Sequence, residues 1–412
     1  MTRPMLHGLQ AMRGRDPADE HRVSTSLELL FDLTFVVAFS VAANEFAHLI
    51  AEGHYRAGLF GFSFAMFGVV WAWINFTWFA SAYDTDDWVY RITTMVQMTG
   101  VVILALGLPA AFNSIDSGDH LDNRASVFGY VVMRVPMVSQ WLRAAHQDPM
   151  RRRTCQTYAI TITVSQIGWV LLLFVDAPPV TMLLMFVPLM LIELAGPVIA
   201  ERKSAGGTPW HPHHIAERYG LLAIIALGEV LLGTVASLEA VLDKSGWTFD
   251  IALFVVGGVG LTFGMWWVYF LLPAGEVLAH RRDRSFIWGY GHFFVFASIA
   301  AVGAGLHVVA LYLEQAATIS ATAVMLSVAI PVAIYFVSLG VLYGNLVGLH
   351  PHMTAVTLGK LGIVVLSVVL AAAGVDLSIC VVVIALSPAV SVIAQETGGG
   401  ARMEELVQEA IG

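Results

Sequence analysis

Four ionisable residues, Asp32, Arg134, Glu193 and Glu229, fall inside stretches of sequence that are otherwise almost wholly apolar. A charge in hydrocarbon costs at least ~2.5–3.5 kcal/mol on insertion scales unless a partner or water compensates, so each is a candidate for binding a proton or a solute. Glu28 and Asp32 are four residues apart, which sets both carboxylates on one helical face. Like charges that close raise one pKa and can hold a proton or capture a cation. The plainer reading of Glu28 is a helix N-terminus, where the dipole favours an acid. Arg134 cannot shed its proton and so requires a carboxylate or an aqueous cavity; Asp32, Glu193 and Glu229 are the counter-ions on offer. Glu229 follows Gly228, and an acid that deep must be protonated, paired or wet; its structural alternative is a neutral acid hydrogen-bonded across helices. Arg218 lies eleven residues earlier on nearly the same face but roughly 16 Å away along the axis, so those two cannot pair directly.

A second group sits at the ends of the apolar stretches. In Asp84-Thr85-Asp86-Asp87, followed by Arg91, either Asp84 or Thr85 is placed to cap the next helix, and Asp87 with Arg91 makes an i, i+4 ion pair. This turn reads as a solvated acidic loop or as a latch between helix bundles. His214, Glu217 and Arg218 open a further apolar stretch. His211, His213 and His214 stand close together, but Pro212 interrupts them and no Cys or carboxylate completes a metal-binding spacing. No metal or cofactor is expected. His292 and His307 read as buried hydrogen-bonders. Trp71, Trp73, Trp266 and Trp267 read as packing or interfacial residues that could also line a cavity.

The elements that carry these residues are membrane helices. The chain is 58% hydrophobic and only 12% charged, with a mean hydropathy of +0.75, and a soluble domain would carry roughly twice that charge. A bilayer core about 30 Å thick needs roughly 20 mainly apolar residues per crossing. Twelve stretches meet that length: 27–49, 57–80, 89–112, 125–147, 154–175, 180–200, 216–240, 249–273, 286–313, 319–343, 355–374 and 376–395. With the N-terminus inside, Lys and Arg divide fifteen inside to three outside, the three being Arg56, Arg124 and Lys244. The positive-inside rule then sets both termini in the cytoplasm, with Arg3 among the inside charges.

The net charge of -9 is scattered over short loops, such as Asp116, Asp119 and Asp122, so no nucleic-acid partner is expected. Cys155 and Cys380 fall within spans and read as small apolar fillers. The first 26 residues lack the apolar core of a cleaved signal peptide. The stretch from Gly398 onward, with Glu404, Glu405 and Glu409, reads as a frayed or weakly helical tail.

The second and eighth spans share Phe67-Gly68-Val69-Val70-Trp71-Ala72-Trp73 and Phe263-Gly264-Met265-Trp266-Trp267-Val268-Tyr269, each leading into a charged loop. Spans four and ten share Tyr130 with His146 and Pro149, against Tyr335 with His350 and Pro351. These echoes point to an all-α protein built as two parallel six-helix pseudo-repeats. The organisation read from them is an N-terminal segment 1–26, a first half 27–203, a linker 204–213 containing Gly206-Gly207-Thr208-Pro209, a second half 214–395 and a tail 396–412. Pro136, Pro188, Pro197 and Pro331 interrupt spans four, six and ten, as broken helices around a site do.

Three of these segments, in order along the chain, resemble the bacterial low-temperature-requirement A (LtrA) family: Leu27-Glu28-Leu29-Leu30-Phe31-Asp32-Leu33-Thr34-Phe35-Val36; Tyr83-Asp84-Thr85-Asp86-Asp87 with Arg91; and His214-Ile215-Ala216-Glu217-Arg218-Tyr219-Gly220-Leu221 leading to Ala226-Leu227-Gly228-Glu229. The chain departs from the family pattern at Leu30 and Val230. The resemblance implies a polytopic inner-membrane protein tied by name to growth in the cold, with no agreed activity. It carries over Glu28, Asp32, Asp84, Asp86, Asp87, Arg91, His214, Glu217, Arg218 and Glu229 as motif residues. Arg22 followed by Phe31-Asp32 is similar, without the serine, to the Arg and Phe-Ser-Asp signature of a six-helix-repeat potassium channel family.

Three functions fit. A secondary transporter of a small solute would use Arg134 and the acids for binding, with Asp32, Glu193 or Glu229 carrying protons. A channel would set the first helices of each repeat around a pore, and two repeats per chain then require a homodimer. An enzyme acting on lipid would use Asp84 to Asp87 with His214. The transporter is the expectation taken forward, with the bilayer and an unknown solute or ion as partners.

Overall fold

The computed structural model of the 412-residue chain describes residues 8–17, 19, 22–118, 121–175, 177, 179–204 and 207–411. Arg3, Asp119 and Gly206 lie outside these, as does the side chain of Lys244. Among the described residues there is no strand. The helices are α1 (Ser26–Ala51), α2 (Tyr55–Tyr83), α3 (Trp88–Ser117), α4 (Arg124–Gln147), α5 (Arg152–Leu172), α6 (Pro179–Glu201), α7 (Pro212–Ser245), α8 (Phe249–Tyr269), α9 (Ala274–His280), α10 (Ser285–Leu313), α11 (Ala321–Val347), α12 (Pro351–Ala372), α13 (Leu377–Ala385), α14 (Ala389–Ala394) and α15 (Gly400–Ile411).

A chain in hydrocarbon must satisfy its backbone internally, which is why apolar runs become uninterrupted helices and the polar residues between them become caps. Asp87, Thr248, Ser320 and Asp376 each accept a backbone N–H at a helix start. Among the described residues ten helical stretches are long and apolar enough to cross a membrane, and the protein is an all-α polytopic membrane protein. Helices α4 and α5 have spanning length, at 24 and 21 residues. They are less apolar because they carry side chains turned inward, among them Arg134, Gln140 and Ser165, all buried.

Two compact units divide the chain: Met1–Val41 with Phe67–Arg218, and Ala42–Met66 with Tyr219–Gly412. In the first, α3 to α6 pack each on the next. The α3–α4 crossing depends on glycine: a Cβ on Gly129 would lie 2.3 Å from Leu104 N, and one on Gly107 would lie 2.5 Å from Ser126 N. In the second unit α10 to α13 pack in sequence and α8 lies on α13. There a Cβ on Gly305 of α10 would lie 2.4 Å from Ser327 O of α11.

The last expected span, 376–395, is broken. Pro388 has no N–H to continue a helix and clashes with the preceding turn, so α13 ends at Ala385 and α14 begins at Ala389. The C-terminal stretch is also not a frayed tail. After a π turn at Gln395–Gly399, in which Gly398 takes φ +109°, α15 buries Leu406 and Val407 and packs on α9 and α11.

Substituting Gly129 by Val should force α3 and α4 apart and destabilise the protein by about 2–3 kcal/mol or more. Gly68→Ala, where a Cβ meets nothing within 4 Å, should be close to neutral. Thermal unfolding of the two variants in one detergent checks the difference, and equal midpoints would refute the close crossing.

Candidate functional site

Acids on α1 meet bases on α7. Glu28 and Asp32 occupy successive turns of one face of α1, and His214 and Arg218, also four apart, occupy successive turns of α7. Glu28 Oε1 lies 3.1 Å from His214 Nε2 and 3.1 Å from Arg218 Nη1. Arg218 Nη2 donates to Asp32 Oδ1, which also accepts the indole N–H of Trp73 on α2 at 2.7 Å. Asp32 Oδ2, also buried, has no hydrogen-bond partner among the described residues. All four charged or titratable side chains are fully buried.

Glu28 serves the helix end as well. Thr25 and Glu28 form a reciprocal capping box: Glu28 Oε2 accepts Thr25 N at 2.7 Å and Thr25 Oγ1 accepts Glu28 N at 3.3 Å. Glu28 is therefore both the partner in a helix cap and a member of the ionic cluster. Its other oxygen also accepts from Arg22 Nη2 at 3.2 Å, and that guanidinium reaches Asp84 Oδ2 at 3.5 Å and Ala80 O at 3.3 Å. Arg22 is buried, and so is Met12, while Arg15 N donates to Ala82 O at 3.0 Å, so the described residues ahead of α1 pack as a structural part of this unit. Glu217 points away from the cluster and accepts Ser24 N at 3.3 Å.

The acidic turn differs from the expected pairing. Asp87, not Asp84 or Thr85, caps α3, with Oδ1 accepting Tyr90 N at 2.9 Å. Arg91 pairs with Asp86, through Nε at 2.8 Å and Nη2 at 2.9 Å, and not with Asp87. Asp86 takes φ +47°, its N–H held by Asp84 Oδ1 at 2.8 Å, and this left-handed residue swings its carboxylate toward Arg91. Asp87 is left to Arg143 of α4, a contact ion pair, and to Gln10 N at 3.1 Å.

Burial raises the Asp84 carboxyl, and the nearby Glu28 charge adds to it, so that despite Arg22 and Arg15 it is pushed up to about 6. Burial also works against the Asp87 charge, but hydrogen bonds from Arg143, Tyr90 N and Gln10 N outweigh it and hold the carboxyl down to about 2.

A second site forms in the same unit among α2, α4 and α6. Of the three counter-ions open to Arg134, the fold supplies Glu193: Nη2 lies 3.1 Å from Oε2. Tyr130, one turn before Arg134, accepts from it at 2.5 Å and donates to Glu193 Oε1 at 3.2 Å, and Trp71 donates to Oε2 at 2.8 Å. Trp71 and Trp73, two residues apart on α2, thus each give an indole N–H to a buried acid. Trp266 and Trp267 instead lie largely exposed on α8.

Glu229 joins neither site. It belongs to the second unit, is half-buried, and has no ion-pair or hydrogen-bond partner among the described residues. His292 bonds Trp288 O and Tyr269 OH, and His211 contacts Asp19 O at 2.7 Å. Among the described residues no group of three His, Cys, Asp or Glu could hold a metal ion. Trp71, Trp73, Tyr130 and Arg143 were not among the expected site residues. The i, i+4 spacing of Tyr130 and Arg134 was a usable signal; the roles of the tryptophans depend on partners 41 and 122 residues away.

Arg134→Met should destabilise the protein by about 3–5 kcal/mol, because Glu193 is left as an uncompensated buried charge, and adding Glu193→Met should recover most of the loss. Thermal unfolding of the two single variants and the double variant tests this, and additive losses would refute the pair. The acidic turn carries two opposite pH signatures. Asp84, raised when folded, contributes stability that is full below pH 4 and lost as pH rises through 6. Asp87, lowered when folded, contributes stability that is full above pH 4 and lost as pH falls toward 2. Unfolding midpoints across pH 3–8 should show Asp84→Asn removing the first slope and Asp87→Asn the second.

The model of the bacterial low temperature requirement A protein (LtrA) family matches residues 23–388, which takes in both buried sites and Glu229. The chain is also similar to the uncharacterized protein RA0937 of Rhizobium meliloti (strain 1021), 26% identical over 300 residues that cover 68% of this chain and 67% of that protein. No solved structure matches it. A single family description spans the helices that bring Glu28, Asp32, Asp84, His214 and Arg218 together, and the chain belongs to the bacterial low temperature requirement A family.

Proposed function

We propose that this protein is a secondary transporter of a small solute, coupled to protons through the α1–α7 cluster. The observation that carries this reading is a charge count. Three buried carboxylates, Glu28, Asp32 and Asp84, face two buried guanidiniums, Arg22 and Arg218, with His214 among them. Counted over the buried groups the cluster is one positive charge short; the part-exposed Arg15, 3.9 Å from Asp84, serves only the Asp84 end, so a proton or a cationic solute at Asp32 completes it. Asp32, with Oδ2 unpartnered, is the acceptor. Glu193 with Arg134 forms a neutral pair suited to opening for a solute, and the lone carboxyl of Glu229 is a second proton carrier.

Two six-helix repeats, 27–203 and 214–395, supply the frame for this activity. The reading is supported by the glycine crossings Gly107 on Ser126 and Gly305 on Ser327, which stand 198 and 201 residues apart in sequence, close to the offset of the Trp motifs. The distribution of arginines supports a cell-membrane orientation with both termini in the cytoplasm.

Proteoliposomes loaded with a pH-sensitive dye and challenged in turn with amino acids, carboxylates and alkali cations test the activity. One class should give saturable proton movement, lowered at least about tenfold by Asp32→Asn and by Glu229→Gln. A non-saturating conductance indifferent to the pH gradient would replace the transporter by a channel.

A further inference from the structure

The second unit contains a cavity of about 630 Å³, its open mouth included, between α8, α11, α12, α14 and α15. Leu271, Leu339, Val356 and Met403 give it an apolar wall. Into it projects Lys360, the tenth residue of α12, on the face that continues as buried Val364, Ser367 and Ala371. The other face of α12, with Leu358, Val365, Leu366 and Val369, is exposed.

Lys360 is 5% exposed, yet no carboxylate among the described residues pairs with it. Among the described residues, the neighbour found over its Nζ is the ring of Phe336, 4.7 Å from Nζ to centroid. A cation–π contact offsets only part of the cost of burying an ammonium, which ordinarily demands an anion. The hydroxyls nearby donate elsewhere, Tyr343 to Val268 O at 3.3 Å and Thr357 to Met353 O at 3.0 Å, and neither accepts from Lys360 among the described residues. The side chains of Ser391 and Gln395, which also line the cavity, make no hydrogen bond among the described residues. Three polar groups thus line one largely apolar chamber, none with a side-chain hydrogen bond among the described residues.

We propose that this cavity binds an anionic amphiphile, an apolar chain against Leu271, Leu339, Val356 and Met403 with a single acidic head on Lys360. Ser391 and Gln395 complete the head-group site. Ser391 and Gln395 are four residues apart, on one face of the helical stretch that follows Pro388. The head is a carboxylate, as in a free fatty acid, or a phosphate monoester, as in a lysophospholipid.

Full-length protein in nanodiscs of neutral phosphatidylcholine, carrying the fluorescent fatty acid cis-parinaric acid, is titrated with oleate, oleoyl lysophosphatidate and oleyl alcohol. At least one of the two anions should displace the probe at about tenfold lower concentration than the alcohol, and whichever does so identifies the head group. Lys360→Met should weaken that anion by about 30-fold while leaving the alcohol unchanged, and Lys360→Arg should retain the preference. If Lys360→Met does not fold, Thr357→Trp, which fills the chamber and leaves the lysine in place, should abolish displacement by all three. Equal potency of alcohol and anions, or an unchanged preference in Lys360→Met, or full binding in Thr357→Trp, would overturn the proposal.

Discussion

Arg218 carries the first unit's buried charge. Among the described residues it is the ion-pair partner shared by Glu28 and Asp32, and an arginine is suited to the task because its planar fork spans two carboxylates and never loses its charge. Without it, two acids one turn apart on α1 would repel each other in a medium that screens little. The arrangement also couples elements distant in sequence. The N-terminal segment through Arg22, the α2–α3 turn through Asp84, α2 through Trp73 and the start of α7 all converge on the first two turns of α1. Such a network is strong while fully populated and costly when one member is removed.

Helix α2 plays the complementary part. Neutral donors on it finish what the arginines begin, with Trp73 serving Asp32 and Trp71 serving Glu193. An indole N–H adds a hydrogen bond without adding charge, which lets a carboxylate be satisfied inside a helix bundle while most of the indole packs as hydrocarbon. Tyr130 does the same between Arg134 and Glu193. The two sites therefore share one design, an ion pair across helices with an aromatic donor beside it; at Glu193 both oxygens are engaged, whereas at Asp32 the indole and the guanidinium share Oδ1.

Much of this was legible before any coordinates. The motif residues Glu28, Asp32, Asp84, His214 and Arg218 were singled out by type and position, and they lie together. The Arg134 partner was narrowed to three acids and no further. The errors are local and physical. The acidic turn was read by regular i, i+4 spacing, but Asp86 adopts a left-handed backbone, and one such residue redirects which carboxylate meets Arg91. The last span was read as continuous because its side chains are apolar throughout, while Pro388 acts on the backbone.

The sequence alone determined that this chain lives in a membrane and which few charges must be sheltered there, because the cost of a bare charge in hydrocarbon depends on composition and length and not on who its neighbours are. Which charge meets which was decided only in three dimensions. Arg218 pairs with acids 186 and 190 residues away, and Arg134 with one 59 away; such choices depend on helix packing, where a missing Cβ at Gly129 or a turn at Asp86 moves a side chain by more than the reach of a hydrogen bond.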